Sequence, residues 1–206
     1  MEFPGKFGDH ILPEKIHDVN LSFIVNTFAK RRGGTAGNAS YPLGLTKTPH
    51  VLYSFAGNDF LEYKKAFDKI GINTKFIKID KTQHTATGFA MTDKGHNQIW
   101  GYYYGASANI PKLPLKKVAK KGDLVLIGPQ GASGSMHFVK ECVLLGVDYL
   151  FDPGFILTQV TDKDLLFGVL HAKYVIGNEY EMELIAKRVK NWSSLKTLSI
   201  FKNLTP

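Results

Sequence analysis

The 206-residue sequence has one cysteine, Cys142, which excludes a framework of disulfide bonds. Proteins with so little cysteine are typical of reducing compartments, so we expect a cytoplasmic protein. Long apolar runs are also missing: a run such as residues 124–127 is far too short to cross a bilayer. Charged side chains interrupt the first 20 residues, which excludes the apolar core of a signal peptide. No membrane partner is predicted.

Several motifs of catalytic and metal sites are absent. The seven histidines show neither H-x-H nor H-E-x-x-H spacing, which excludes the usual histidine metal sites. The G-x-S-x-G turn of many hydrolases is not present. What remains is an ordinary globular composition, with 44% hydrophobic and 21% charged residues. A chain of this length buries enough surface to fold without disulfide bonds or a structural metal.

The charge is unbalanced: 26 lysine and arginine residues against 18 acidic ones give a formal net charge of +8. This excess favours anionic partners such as phosphate-bearing small molecules. The basic residues are scattered apart from five lysines between residues 112 and 121, which we interpret as an exposed connector. A solvated lysine-rich surface explains this distribution better than a nucleic-acid face, so no nucleic-acid partner is predicted.

Residue patterns in the first half of the chain predict mixed structure. A short strand is expected over residues 21–25 and another over 50–55, with helices over 36–45 and 59–70. Two alternating stretches, 85–91 and 98–104, flank the turn-forming residues 93–97 and predict a β-hairpin.

The second half alternates between apolar strands and helical patterns. Strands are predicted over residues 123–128, 149–152 and 174–177, and helices over 133–145, 162–170 and 179–189. This order predicts right-handed crossovers and a parallel sheet covered on both faces. Ligands of such sheets bind beyond the carboxyl ends of the strands.

Residues 33–38 (Gly-Gly-Thr-Ala-Gly-Asn) form the first candidate site. Gly33 and Gly34 allow a close backbone approach to a ligand, and a helix that begins there offers free N–H groups. Asn38 has both a donor and an acceptor for a pair of hydroxyl groups. An ordinary glycine turn that Asn38 caps locally is an equally good interpretation.

Asn178 and Glu181 follow the last predicted strand and share one face of a helix start. An amide and a carboxylate there suit a hydrated Mg²⁺ ion, which takes few protein ligands. The alternative is a capping box, in which Asn178 caps the helix and Glu181 bonds back. Asp152 ends another predicted strand and is interpreted as an active-site carboxylate or as part of an Asp-Pro-Gly turn.

The aromatic strand places Gln98, Trp100, Tyr102 and Tyr104 on one face. That face could hold a planar base or a sugar ring, or it could be a half-buried sheet face or a dimer surface. Residues 128–135 are glycine-rich but lack a Gly-Lys-Ser/Thr ending, so we interpret them as a strand-to-helix turn with a serine cap. Cys142 lies in a helical pattern and is expected in the core.

Taken together, these segments resemble the ribokinase-like (PfkB-type) carbohydrate and nucleoside kinases. Residues 32–39 resemble the first signature of that family, residues 54–60 resemble its G-x-D-x-x-G segment, and residues 71–74 resemble its G-I-D-T segment. Residues 151–154 and the Asn178-x-x-Glu181 spacing match in order. Tyr63 departs from the pattern, since it replaces a usual glycine. Residues 3–12 look most like the adenosine-kinase-like branch.

The resemblance implies a ribokinase-like, doubly wound, mostly parallel α/β sheet of the Rossmann-like three-layer kind, with a small β-sheet lid. The lid would comprise residues of about 14–33 and 84–105, and the core residues of about 34–83 and 106–206. It implies Mg²⁺ and ATP, with a sugar or nucleoside as acceptor. Interpreted as a dimer surface, the aromatic strand of the lid sheet predicts a homodimer. By this resemblance Gly34 and Asn38 contact the sugar hydroxyls, and Asn178 with Glu181 lies on the ATP-phosphate and Mg²⁺ side, Glu181 acting through water. The residue patterns described above add Gly33, Gln98, Tyr102 and Asp152 to the expected substrate contacts.

Two features of the family pattern are not found. Its opening strand, with an aspartate that holds the sugar, and its Gly-Ala-Gly-Asp segment, with the catalytic base, are absent from the 206 residues. We therefore expect an internal part of a longer chain, with its base beyond Pro206 and little activity by itself.

The predicted function is ATP-dependent phosphate transfer to the hydroxymethyl group of a sugar or nucleoside such as ribose or adenosine. A non-catalytic sugar- or nucleoside-binding remnant of the same fold is the alternative. A basic nucleic-acid-binding domain is a third reading, which the net charge alone supports.

Overall fold

The computed structural model describes residues 1–11 and 20–189. The chain divides into two compact units, each assembled from two separate stretches. The smaller unit consists of Met1–Arg32 and Ala86–Tyr103, and the larger of Gly33–Thr85 and Tyr104–Pro206. Parts of the predicted lid (residues 14–19) and of the predicted core (residues 190–206) lie outside the described residues.

The helices and strands are, in chain order, α1 (Thr35–Leu45), β1 (Ser54–Ala56), α2 (Leu61–Asp68), β2 (Ile77–Ile79), β3 (Thr87–Thr92), β4 (Gln98–Tyr103), β5 (Leu124–Ile127), α3 (Ala132–Leu145), β6 (Asp148–Phe151), α4 (Asp162–His171), β7 (Tyr174–Val175) and α5 (Glu179–Arg188). Short 3₁₀ helices cover Phe7–Asp9, Gly105–Lys112, Leu115–Lys117 and Gly154–Thr158. Among the described residues, no helix is long and apolar enough to cross a membrane.

The larger unit contains a parallel sheet in the order β5-β6-β7. Ile127, Phe151 and Val175 lie side by side across its three strands, and all three are buried. The hydroxyl of Tyr149, on the same face, donates to the Gly168 carbonyl of α4 at 2.6 Å. The absence of a side chain at Gly168 is needed there, because a Cβ would lie 2.9 Å from the Phe151 ring. Cys142 is fully buried in this core, as predicted.

The opposite face of this sheet is partly exposed at β5 in the described part of the chain. Both crossovers run in the same direction along the sheet, so right-handed connections put α3 and α4 on one face. On the other face, Leu124 is 53% exposed and Leu126 is 40% exposed. The predicted cover on both faces is therefore not seen at β5 among the described residues.

A second, smaller parallel sheet pairs β1 with β2 and packs on α2. Its core consists of Leu52, Ala56, Phe60, Phe67 and Ile72. The strand predicted over residues 50–55 begins only at Ser54, and β2 was not predicted.

In the smaller unit, β3 and β4 form the predicted antiparallel hairpin. Asp93 is buried at its turn, where its carboxylate accepts hydrogen bonds from the N–H groups of Phe7, Gly95 and Asn97 at 2.8–2.9 Å. The side-chain amide of Asn97 also donates to this carboxylate. These contacts attach the N-terminal segment to the hairpin.

The rings of Phe3, Phe7, His10 and Phe23 pack together beside this turn, with neighbouring centroids 4.8–5.8 Å apart. The strand predicted over residues 21–25 is wrong: none of these residues is part of a strand, and Ile24 is 84% exposed. An isolated bridge joins Thr27 to Glu2 instead.

Candidate active site

The three strands β5, β6 and β7 are parallel, so their carboxyl ends share one edge of the sheet. The residues that follow them are Gly128, Asp152 and, after two further residues, Asn178. Helix α1 begins at this edge, because its first residue, Thr35, packs against Gly128. A Cβ on Gly128 would lie 2.9 Å from Thr35 Cβ, so the strand end and the helix start fit only with glycine there.

The start of α1 is open. Gly34 precedes the helix with a φ of +86°, a conformation that glycine adopts readily, and no side chain caps the helix. Its backbone N–H groups and positive dipole end are therefore available to a ligand oxygen. The alternative interpretation, in which Asn38 caps this turn locally, is not seen. The Asn38 side chain is exposed on the first turn. Neighbouring Gly33 is also exposed, and its carbonyl accepts a hydrogen bond from the Tyr63 hydroxyl at 2.5 Å.

Asp152 is half-buried directly after β6. Burial raises the pKa of its carboxyl to about 6, and the nearby negative charge of Glu181 adds to the shift. A hydrogen bond from the Gly154 backbone opposes the increase. A cation bound near Asp152 and Glu181 would reduce the repulsion between the two carboxylates and stabilise the ionised form of Asp152.

At the start of α5, the capping box is formed. Asn178 Oδ1 accepts from the Glu181 N–H at 2.9 Å, and Glu181 Oε2 accepts from the Asn178 N–H at 2.8 Å. The box uses one oxygen of Glu181 and leaves Oε1 outside it. The negative charge of Glu181 still acts on Asp152. Glu181 therefore caps α5 and, at the same time, places a negative charge near Asp152.

These carboxylates fit a cation that keeps most of its water. No group of three or more histidine, cysteine or acidic side chains in the described part of the chain could enclose a metal ion. Asp152 and Glu181 supply negative charge without completing a coordination shell, which suits Mg²⁺ better than a closed protein site.

Gln98 and Tyr102 lie in the smaller unit, on the exposed strand β4. The Trp100 Nε1–H donates to Gln98 Oε1 at 3.1 Å, and the Trp100 and Tyr102 rings stack with centroids 5.4 Å apart. Opposite them, Gly88 leaves room for both rings. Tyr104 is not part of this face: it lies beyond the strand, in the larger unit, and its hydroxyl donates to Gln159 at 2.8 Å.

The turn after β5 confirms one prediction and corrects another. It is a strand-to-helix turn, but Gly131 occupies the capping position and no side chain caps α3. The buried Ser135 instead holds the turn together by donating to the Gly128 carbonyl at 2.9 Å and accepting from the Gln130 N–H. Sequence analysis also missed the Gly128–Thr35 contact; the one signal for it was a glycine at the end of a buried strand.

The model of the pfkB family of carbohydrate kinases matches residues 6–202. The chain belongs to this family. Its ribokinase-like fold agrees with a ribokinase from Cryptococcus neoformans solved with ADP, which is 16% identical with a TM-score of 0.69 over 91% of this chain and 57% of the other.

Two nucleoside kinases are similar to this pfkB-family chain. That of Methanothermobacter thermautotrophicus is 27% identical over 85% of this chain and 58% of its own length. That of Burkholderia thailandensis, solved in complex with inosine, is 28% identical with a TM-score of 0.85 over 97% of this chain and 65% of the other. Its complex described as ADP-inosine is 31% identical with a TM-score of 0.77 over 91% and 59% of the two chains. The chain thus spans about three fifths of these relatives.

Proposed function

We propose that this chain provides the acceptor and phosphate sites of an ATP-dependent kinase that phosphorylates the hydroxymethyl group of a nucleoside. The observation that carries the proposal is the uncapped start of α1 at Gly34, packed on the end of β5, at the edge that also holds Asp152 and Glu181. The likeness to an inosine-bound nucleoside kinase favours a nucleoside over a free sugar.

In this proposal the acceptor is held by backbone and amide groups. The N–H groups at Gly34 and the first turn of α1 would bind hydroxyl oxygens of the sugar, and Asn38 would hydrogen-bond a hydroxyl pair. Gln98 and the stacked rings of Trp100 and Tyr102 would cover the base or sugar as part of a lid. A closed lid excludes water, which otherwise competes with the acceptor hydroxyl for the phosphate.

The phosphate side of the proposal consists of Asn178, Glu181 and Asp152. Mg²⁺, when bound with ATP, neutralises phosphate charge. Glu181 would hold the hydrated ion through water with the oxygen that the capping box does not use, and Asp152 would contribute negative charge beside it. The raised pKa of Asp152 supports this assignment, since nearby positive charge would stabilise its ionised form.

The acceptor assignment is tested by titration calorimetry with inosine, adenosine and ribose. We expect the wild-type chain to bind a nucleoside more tightly than ribose. Asn38→Ala should weaken nucleoside binding by about 1–3 kcal/mol, because its hydroxyl partners would be left unpaired. Asn73→Ala, which removes an exposed turn asparagine of the same unit, is the matched control. Equal affinities in wild type and Asn38→Ala would overturn the assignment.

A nucleoside-binding protein without turnover is the second candidate. The complete capping box favours it, because both Asn178 and Glu181 have a structural use that needs no phosphate. Nucleoside binding without ADP binding would support this candidate over the kinase.

We also propose a cytoplasmic homodimer through the lid sheet. The face of the hairpin opposite Trp100 carries Phe89, Ile99 and Tyr103, which are 56%, 42% and 44% exposed. A second copy of the chain would cover these apolar side chains. Sedimentation equilibrium should give a dimer that Phe89→Ser weakens; a wild-type monomer at all concentrations would overturn this.

A further inference from the structure

The chain leaves the larger unit for the smaller one directly after Thr85, and the Asp59 carboxylate binds that residue. Asp59 Oδ1 accepts from the Thr85 N–H at 2.8 Å and from the Thr85 hydroxyl at 2.6 Å. The Thr85 hydroxyl oxygen in turn accepts from the Gly57 N–H at 2.9 Å. Both the backbone N–H and the side-chain hydroxyl of Thr85 are therefore hydrogen-bonded to the turn at residues 57–59.

Backbone contacts support the same junction from both sides. A Cβ on Gly57 would lie 2.2 Å from the Thr85 nitrogen, so the turn at residues 57–59 presses directly on the departing chain. The Asn58 N–H donates to the Gln83 carbonyl, and the Ala106 N–H donates to the His84 carbonyl, each at 2.9 Å. The segment up to Thr85 is thereby fixed to the larger unit, and the second stretch of the smaller unit begins at Ala86.

The two other crossings are also tied on the side of the larger unit. Gly33, the first residue after one crossing, accepts from the Tyr63 hydroxyl. Tyr104, the first residue after the other, donates to Gln159, and its ring covers Gly131. A side chain of the larger unit therefore bonds the terminal residue at each of the three crossings.

We propose that Asp59 is a positioning residue for nucleoside binding, because it fixes the pivot from which residues 86–103 leave the larger unit. This inference rests on the proposed function of those residues as a lid. Without the carboxylate, the residues around Thr85 gain conformational freedom, which lid closure must remove again. The free energy of that ordering is subtracted from nucleoside binding, while the acceptor and phosphate contacts themselves are unchanged.

The test compares Asp59→Ala, Asp59→Asn and wild type in the full chain, with inosine as the probe. In Asp59→Ala we expect hydrogen exchange of the Thr85 amide to rise at least about ten-fold and inosine affinity to fall about ten-fold, as for one residue freed and ordered again. Asp59→Asn retains the acceptor oxygen and should restore both values to near wild type. The matched control is Asp123→Ala, which removes a carboxylate that accepts the Lys120 N–H at 2.9 Å away from the crossings. It should leave inosine affinity unchanged.

Melting temperatures separate positioning from general stability. Each alanine variant loses a side-chain-to-backbone bond, and Asp59→Ala also loses the bond from the Thr85 hydroxyl, so inosine affinity is compared at a temperature at which both variants are fully folded. If Asp59→Ala does not fold, Thr85→Val provides the test, because it removes the hydroxyl and leaves the carboxylate. If the variant exchanges its Thr85 amide faster but binds inosine as tightly as wild type, the role of Asp59 is overturned and the proposed function is not. Unchanged exchange at Thr85 has the same meaning. Failure of wild type to bind inosine overturns the proposed function and, with it, the role of Asp59 in binding.

Discussion

Gly128 and Thr35 approach so closely that a methyl group on Gly128 would lie 2.9 Å from both Cβ and Cγ2 of Thr35. The contact joins the end of a core strand to the first turn of the helix that we assign to acceptor binding. The position of the open helix start is therefore set by a strand end that belongs to a different part of the chain.

Gly128→Ala tests this relationship. The added methyl group should push α1 away from β5, lower the free energy of unfolding by about 1–3 kcal/mol and weaken nucleoside binding. Urea unfolding and calorimetry with inosine measure the two effects. Gly8→Ala is the control, since a Cβ on Gly8 meets nothing within 4 Å. Wild-type affinity in Gly128→Ala would show that α1 does not need this contact to bind the acceptor.

The raised pKa of Asp152 predicts a stability that depends on pH. The pKa is about 6 in the folded chain, against about 4 in an unfolded one, so the folded state holds the proton more tightly. Stability should thus fall as pH rises from about 4 to 6 and then stay low. Asp152→Asn should be more stable than wild type at pH 8, by up to about 3 kcal/mol, and similar to it at pH 4. Unfolding in urea at both values measures this, with Asp123→Asn as control.

Glu181→Gln separates the cap from the charge. Glutamine can still accept the hydrogen bond from the Asn178 N–H, so the melting temperature should change little. The lost charge should raise the Mg²⁺ concentration needed for half-maximal ADP binding by about ten-fold. Titrating Mg²⁺ at fixed ADP measures the shift, and Glu179→Gln, in the same first turn but outside the box, is the control. An unaltered Mg²⁺ curve would return Glu181 to a capping role alone.

Asp93 predicts acid sensitivity of the smaller unit. Burial raises the pKa of its carboxyl, but hydrogen bonds from Phe7, Asn97 and Gly95 outweigh this and lower it to about 2. Its stabilising contribution is therefore complete above about pH 4 and is lost as pH falls from 4 to 2. Asp93→Asn should be less stable than wild type at pH 7, and its stability should change less between about pH 4 and 2. The control Asp9→Asn should show the same pH dependence of stability as wild type. Hydrogen exchange of the β3 and β4 amides reports on this unit directly.

The 206-residue chain is predicted to transfer phosphate poorly by itself. The motivation is that the 206 residues contain no Gly-Ala-Gly-Asp segment, which the resemblance described in the sequence analysis implies as the source of the base. Phosphate transfer from Mg-ATP to adenosine, inosine and ribose measures the rate. Turnover of about one per second or faster, within the ordinary enzyme range, would contradict the prediction.

The parallel part of the fold could be predicted because its signals are local. An apolar run predicts β5, and a helical pattern from residue 162 predicts α4, whose start the Thr161 side chain caps in the structure. Strand β2 could not be predicted, since it has three residues and two are exposed. The short unpaired stretch 21–25 has apolar residues without a partner strand, so composition alone misassigned it.

The candidate site was predictable in its residue types but not in its contacts. Glycines near strand ends and the Asn178–Glu181 spacing predicted a candidate site at one edge of the sheet, because the edge of a parallel sheet is fixed by topology. The fit of Gly128 against Thr35 depends on packing between distant segments, which leaves no periodic pattern. Whether Glu181 caps a helix or adds charge near Asp152 could not be decided from spacing, and the structure gives it both roles.

The bond between the Phe7 N–H and Asp93 joins residues 86 positions apart, and this separation has a consequence during synthesis. A ribosome adds roughly 5–20 residues per second, so the aromatic side chains of the N-terminal segment wait roughly 4–17 s before the hairpin that binds them exists. The larger unit is interrupted in the same way, because its second stretch begins only at Tyr104. The nascent chain must therefore keep Phe3, Phe7 and Phe23 from aggregating until both stretches of the smaller unit have emerged. Variants that weaken the Asp93 turn are expected to reduce soluble yield in cells more than their equilibrium stability indicates.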